Sequence, residues 1–183
     1  MTKILGISGS LRRASYNSAL LRAATKLMPP EATLEVGSIR GIPLYDGDVE
    51  AQGIPATVTQ LKEAIVGADG VLLVTPEYNN SIPGVFKNAL DWLSRPPADV
   101  KRVFAGKPFA LIGASPGAFG TTLSQVAWLP VLRTLGTHAW FGARLLVSRA
   151  GGVFDEAGVL KDATIEEQLK QFLAGYVSFV QRR

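Results

Sequence analysis

The sequence predicts a single α/β domain spanning residues 1–183, a three-layer α/β/α sandwich on a five-stranded parallel sheet of order 2-1-3-4-5. Three observations carry that expectation. Apolar runs of strand length alternate with amphipathic segments of helix length, which calls for a parallel sheet covered on both faces. Two of the runs, Asp69–Pro76 and Pro108–Ala114, are nearly continuous in apolar residues, as strands buried on both sides must be. The loops after the first, third and fourth strands are the ones richest in polar and glycine residues. Right-handed crossovers make the sheet doubly wound, and its order makes those three strands neighbours. Their loops then meet in one crevice at the carboxyl edge.

The elements follow in order. Lys3-Ile4-Leu5-Gly6-Ile7 reads as the first strand, breaks at Ser8 to Asn17, and gives way to a helix expected from Ser18 to about Met28. Thr33 to Val36 alternates like a short, half-exposed strand, and Gly41 to Asp48 is turn-rich. Pro55 to Val66 reads as a helix with Lys62 and Glu63 opposite a Val58, Leu61 and Ile65 stripe. The buried third strand enters the loop Pro76 to Gly84, and a helix from Val85 to Leu93 is stopped by Arg95-Pro96-Pro97. The fourth strand enters Ser115 to Thr122, and the helix after it, about Leu123 to Leu135, is expected to break or kink near Pro130. A fifth strand region, His138 to Val147, is interrupted by Gly142. Asp162 to Val180 closes the chain as a helix with Ile165, Leu169, Phe172, Leu173 and Tyr176 on one face.

Composition excludes several kinds of chemistry. The chain has no cysteine, so disulfides, thiol catalysis and thiolate metal sites are ruled out, and the single His138 rules out a multi-histidine metal centre. No apolar run is long enough to span a bilayer, and Met1-Thr2-Lys3 enters a strand directly, so no signal peptide and a cytoplasmic location are expected. A net charge of +4 is too small and scattered to argue nucleic-acid binding, but it suits an anionic small molecule.

The loop after the first strand is Ser8-Gly9-Ser10-Leu11-Arg12-Arg13-Ala14-Ser15-Tyr16-Asn17. Strand, small hydroxyl-rich loop and helix amino terminus together form an anion site, because first-turn N–H groups and the helix dipole both attract negative charge. Ser8, Ser10 and Ser15 offer hydroxyls, and Arg12 or Arg13 a guanidinium that can grip two oxygens. The loop lacks the third glycine of a dinucleotide site and the Gly-Lys-Ser/Thr of a triphosphate loop, so a terminal monophosphate suits it better. The competing reading is an ordinary helix start with Asn17 as N-cap and exposed arginines.

The ordered signatures resemble the NAD(P)H-dependent FMN reductase family of flavodoxin-like proteins, in particular its bacterial quinone and chromate reductase branch. They are G-S-L-R-x-x-S-x-N at Gly9 to Asn17, P-E-Y-N-x-S-x-P-G at Pro76 to Gly84, K-N-A-x-D-W at Lys87 to Trp92, and G-A-S-P-G-x-x-G-T at Gly113 to Thr121. The resemblance implies a flavodoxin-like fold and non-covalent FMN. Ser10, Arg12, Ser15 and Asn17 would hold its phosphate, with Ser18 a further donor. Pro76, Glu77, Tyr78 and Asn79 would line the isoalloxazine edge, and Ser115 and Gly117 would lie against it. It also implies hydride transfer from NAD(P)H to FMN N5, then to a quinone or another small oxidant such as a flavin, azo compound or chromate. No side chain is then an obligate acid, base or nucleophile, no metal is needed, and Glu77 is assigned to positioning.

Other readings remain on the same residues. A flavodoxin-type electron carrier would also bind FMN, although the known ones are typically acidic; a non-enzymatic FMN-binding module would share the fold. A phosphoacceptor receiver fails, because Ser8-Gly9-Ser10 and Pro76-Glu77 stand where its aspartates belong. The resemblance implies a homodimer or homotetramer, for which Phe119, Val126, Trp128, Leu129 and Leu132 offer a surface; the alternative is that this stripe is only the helix's core face. His138 is expected to be packed or hydrogen-bonded, Trp92, Trp128 and Trp140 to be core or interface anchors, and Arg182-Arg183 to be a solvated tail. No ribose-reading motif selects NADH or NADPH.

Overall fold

A computed structural model describes residues 1–182; Arg183, half of the expected tail, lies outside the described residues. The strands are β1 (Thr2–Ser8), β2 (Ala32–Gly37), β3 (Gly70–Val74), β4 (Pro108–Ala114), β5 (His138–Ala139) and β6 (Leu145–Val147). The helices are α1 (Tyr16–Lys26), α2 (Gly47–Ala51), α3 (Ala56–Gly67), α4 (Gly84–Leu93), α5 (Val100–Val103), α6 (Thr122–Thr134) and α7 (Ala163–Gln181). All strand pairings are parallel, in the order β2-β1-β3-β4-β5, with β6 pairing further along β4. The fifth strand region is therefore two short pieces on one edge, separated by the segment that holds Gly142.

Alternation along each strand makes the two cores. Ile4, Leu72, Val74, Ala110 and Ile112 face α1 and α7, whereas Leu5, Ile7, Val71, Leu73 and Phe109 face α3, α4 and α6. Every residue of β3 is buried, as its continuous apolar run requires. Gly70 has no Cβ because Tyr176 takes the space: a methyl there would sit 2.6 Å from the Tyr176 hydroxyl. That hydroxyl lies 2.9 Å from the carbonyls of both Val71 and Pro108, which anchors α7 beneath the sheet.

Several local expectations are corrected. Ser15, not Asn17, is the N-cap of α1: its Oγ accepts the Ser18 N–H at 3.2 Å, while Asn17 is buried. Lys62 does not lie on a solvent face. It is 2% exposed and donates to the Arg95 carbonyl and to Asp99 Oδ2, the latter at 2.9 Å. The proline segment after α4 folds back as a 3-10 turn (Pro97–Asp99) leading into α5, and so delivers a partner to Lys62 that helical periodicity does not register. Helix α6 runs unbroken through Pro130, which is exposed; on that side a carbonyl deprived of its N–H can be hydrated. His138 is exposed, with its ring 4.7 Å from that of Phe179. Trp92 and Trp128 are fully buried, while Trp140 packs half-buried against Phe172.

Candidate functional site

Backbone hydrogen bonds continue the sheet past its last paired residues and set the loops side by side. Gly9 N donates to Val74 O at 2.9 Å, Thr75 N to Ile112 O at 2.9 Å, and Ser115 N to Val147 O at 2.9 Å. The loops after β1, β3 and β4 thus leave the same edge together, as the topological switch predicts. Two glycines permit this crowding. A Cβ on Gly9 would lie 2.1 Å from the Phe86 ring, and one on Gly113 would lie 2.2 Å from both Thr121 Oγ1 and the Thr75 carbonyl.

In the first loop Ser10 Oγ accepts the Arg12 N–H at 3.3 Å, and Ser8 and Ser18 share a hydrogen bond at 3.0 Å. Ser10 and Ser15 use their oxygens as acceptors internally and so keep their hydroxyl hydrogens to donate. Arg12 and Arg13 are exposed and form no ion pair among the described residues. Asn17 is different. Its Nδ2 donates to the Ala114 carbonyl at 2.8 Å and its Oδ1 accepts the Ala114 N–H at 2.9 Å. The side chain makes a two-bond clasp between α1 and β4, while its backbone N–H, in the first turn of α1, is a group Asn17 can offer an anion.

Arg40 was not foreseen. It follows β2, lines the same cleft of about 420 Å³ as Ser8, Ser10, Arg12 and Ser18, and donates from Nη2 to the Leu11 carbonyl at 2.9 Å. The signal was available in the topology: β2 borders β1, so its exit must run beside the first loop.

In the second loop Tyr78 and Ser81 exchange both backbone bonds, at 3.1 and 3.0 Å, around Asn79 and Asn80 with φ of 49° and 61°. This is a tight turn with two left-handed residues, for which asparagine is well suited. The Tyr78 main chain is consumed there, and the residue is 47% exposed. Glu77 turns away from solvent: its Oε2 accepts the N–H groups of Leu123 at 2.8 Å and Ser124 at 3.0 Å. Thr121, the N-cap of α6, makes no side-chain capping bond, so Glu77 caps that helix from another loop, where a carboxylate also complements the dipole. Glu77 is therefore a positioning side chain.

In the third loop Ser115 Oγ accepts the Gly117 N–H at 3.1 Å, and Gly117 is exposed. A Cβ on Gly117 would meet only Ser115 Oγ, at an ordinary 3.4 Å. Among the described residues no contact excludes a side chain at this position. The predicted residues are thus brought to one edge: Ser10, Arg12, Ser15 and Ser18 at one end, Pro76 to Asn79 and Ser115 to Gly117 at the other. Unpaired arginine, donor hydroxyls and first-turn amides fit a phosphate dianion. Among the described residues no group of three or more His, Cys, Asp or Glu side chains gathers to hold a metal.

A doubly wound parallel sheet with a hydroxyl- and arginine-rich first loop and two further loops at its carboxyl edge defines a flavodoxin-like protein. Within that class the chain belongs to the NADPH-dependent FMN reductase family, whose model matches residues 2–152. It is 46% identical over 180 residues to an NAD(P)H-dependent FMN reductase of Pseudomonas aeruginosa, covering 98% of this chain and 96% of that one. It is 37% identical over 181 residues to a 2-hydroxy-1,4-benzoquinone reductase of a Burkholderia species, covering 99% and 97%. The solved NAD(P)H:(acceptor) flavoenzyme of Paracoccus denitrificans superposes with a TM-score of 0.88 at 31% identity, covering 100% and 98%. The chain is an FMN-dependent oxidoreductase that uses NAD(P)H.

Proposed function

We propose that this enzyme reduces quinones, with FMN held across the three converging loops. The carrying observation is that donor hydroxyls and unpaired arginines of residues 8–18 lie on the same sheet edge as the rigid turns at 76–81 and 115–117. When bound, FMN supplies the redox chemistry, taking hydride from NAD(P)H and passing reducing equivalents to the acceptor. Arg12 provides charge for the phosphate; Ser10, Ser15 and Ser18 provide hydroxyls; Asn17 provides its backbone N–H. Glu77 and Asn79 present main-chain groups to the ring edge, and Pro76 sets the bend into that turn. Tyr78 offers an aromatic surface, and Ser115 with Gly117 gives a close, flat wall. No side chain needs to act as acid or base. The similarity to a benzoquinone reductase and the open, part-aromatic face support a quinone over a protein partner.

Self-association as a homodimer or homotetramer belongs to the same reading. Phe119, Leu123, Val126, Leu129 and Phe141 are exposed apolar side chains on or near α6, beside an apolar groove of about 260 Å³. Trp128 and Leu132, expected on that surface, are instead core residues at 0% and 1% exposure, because they lie on the inner side of the helix. A cytoplasmic site of action, where NAD(P)H is supplied, completes the proposal.

Arg12→Ala tests the phosphate assignment. A charge-assisted contact is worth about 1.5–3 kcal/mol, so FMN affinity measured by flavin fluorescence should fall roughly ten- to a hundredfold. Unchanged affinity removes Arg12 from the site.

A further inference from the structure

We infer that Thr75 is a positioning residue for the flavin reaction: with Ser124 and Trp128 it forms a buried strut that orients the Pro76–Glu77 peptide toward the crevice. This inference rests on the proposed flavin site. Thr75 Oγ1 lies 2.9 Å from the Pro76 carbonyl, 2.9 Å from Ser124 Oγ and 3.1 Å from Trp128 Nε1. All three residues are fully buried.

The proton positions follow from what each group can do. Indole N–H only donates and a carbonyl only accepts, whereas a hydroxyl donates once and accepts twice. Trp128 therefore donates to Thr75, Thr75 donates to Pro76, and Ser124 must donate to Thr75. Every hydrogen-bonding position of the Thr75 hydroxyl is filled, so it cannot rotate without breaking a buried bond.

That locked hydroxyl has a consequence one atom further on. The Pro76–Glu77 peptide is trans, so its C=O and N–H point in opposite directions. Holding the carbonyl inward against Thr75 turns the Glu77 N–H outward, and among the described residues this N–H finds no acceptor in the chain. Glu77 is in turn tied through Oε2 to the Ser124 N–H at 3.0 Å. Residues on both sides of Pro76 are thus fastened to the same residue of α6. A surface turn needs no such double tether; a peptide that must present one donor at a fixed height does.

The test compares Thr75→Val with Thr75→Ser. Valine keeps the shape and loses the hydroxyl, while serine keeps the hydroxyl and loses a methyl, so packing and orientation predict opposite orders. Single-turnover bleaching of bound FMN by NADPH is followed anaerobically, with FMN affinity and the visible flavin spectrum read alongside. Because small misplacements of reacting groups are costly, Thr75→Val should slow bleaching at least about tenfold and perturb the spectrum. Thr75→Ser should restore most of the rate. Wild-type bleaching with Thr75→Val unimpaired, or with Thr75→Ser the slower variant, overturns the strut. A wild-type protein that binds FMN but is not bleached overturns the underlying flavin reading instead. If Thr75→Val does not fold, Thr75→Ala takes its place: it differs from Thr75→Ser only in the hydroxyl, so it must bleach at least about tenfold more slowly than Thr75→Ser, and equal rates for the two overturn the proposal.

Discussion

Asn17 spends both ends of its side-chain amide on Ala114, and Glu77 spends its carboxylate on the first turn of α6. Each sits inside a binding signature, yet each acts by fixing the loops rather than by reaching out with its side chain. The residue types were legible in the sequence, because hydroxyls, arginine and a strand–loop–helix context state their own chemistry. What the side chains touch was not legible. The Asn17 partner lies 97 residues away, and the Glu77 partners lie 46 and 47 residues away, so no local pattern carries them. Gly117 shows the reverse: among the described residues only Ser115 Oγ lies near the place a side chain would take, a freedom that only the structure reveals. The Arg12→Ala outcome belongs at this scale, since one guanidinium without an internal counter-ion is asked to supply charge to the phosphate.

Helices α3, α4 and α5 show what periodicity can and cannot deliver. Apolar spacing located α3 and α4 and set Lys62 opposite the apolar stripe, but helical position alone cannot reveal a carboxylate arriving from the following segment. In the structure Lys62 is buried against Asp99, which holds the Asp99 carboxyl below its usual range by direct hydrogen bonding; burial opposes that shift. The sign follows. A carboxylate whose folded-state value is lowered adds stability above the ordinary carboxylate range, and that stability is lost as pH falls through the lowered value. Asp99→Asn should therefore destabilise the protein at pH 7 by roughly 1–2 kcal/mol, less than a fully enclosed pair because the carboxylate is partly solvated. The difference from wild type should shrink toward zero in denaturant titrations carried into strong acid. A constant difference across that range would assign the effect to something other than this ion pair. The unbroken α6 has a similar lesson, since Pro130 sits on its exposed side, where the carbonyl left without its N–H can be hydrated.

At the scale of the whole molecule the alternation of strands and helices was sufficient, because crossover handedness and strand order leave few ways to wind five parallel strands. The split of the last strand into β5 and β6 was only half visible, as an interruption at Gly142, because both pieces are too short to declare themselves without β4 as a template. The exposed apolar face around α6 predicts that static light scattering gives a mass of two or four chains at working concentration; the mass of one chain would contradict self-association. The central claim is that one crevice holds FMN where NAD(P)H can reduce it and a quinone can reoxidise it. Its most direct test is anaerobic titration of the FMN-loaded protein with NADPH, followed by a quinone, monitored at the oxidised flavin band. The account predicts rapid bleaching by NADPH and full return of the band on adding quinone. Tight FMN binding without bleaching, or a bleached band that quinone does not restore, would contradict it.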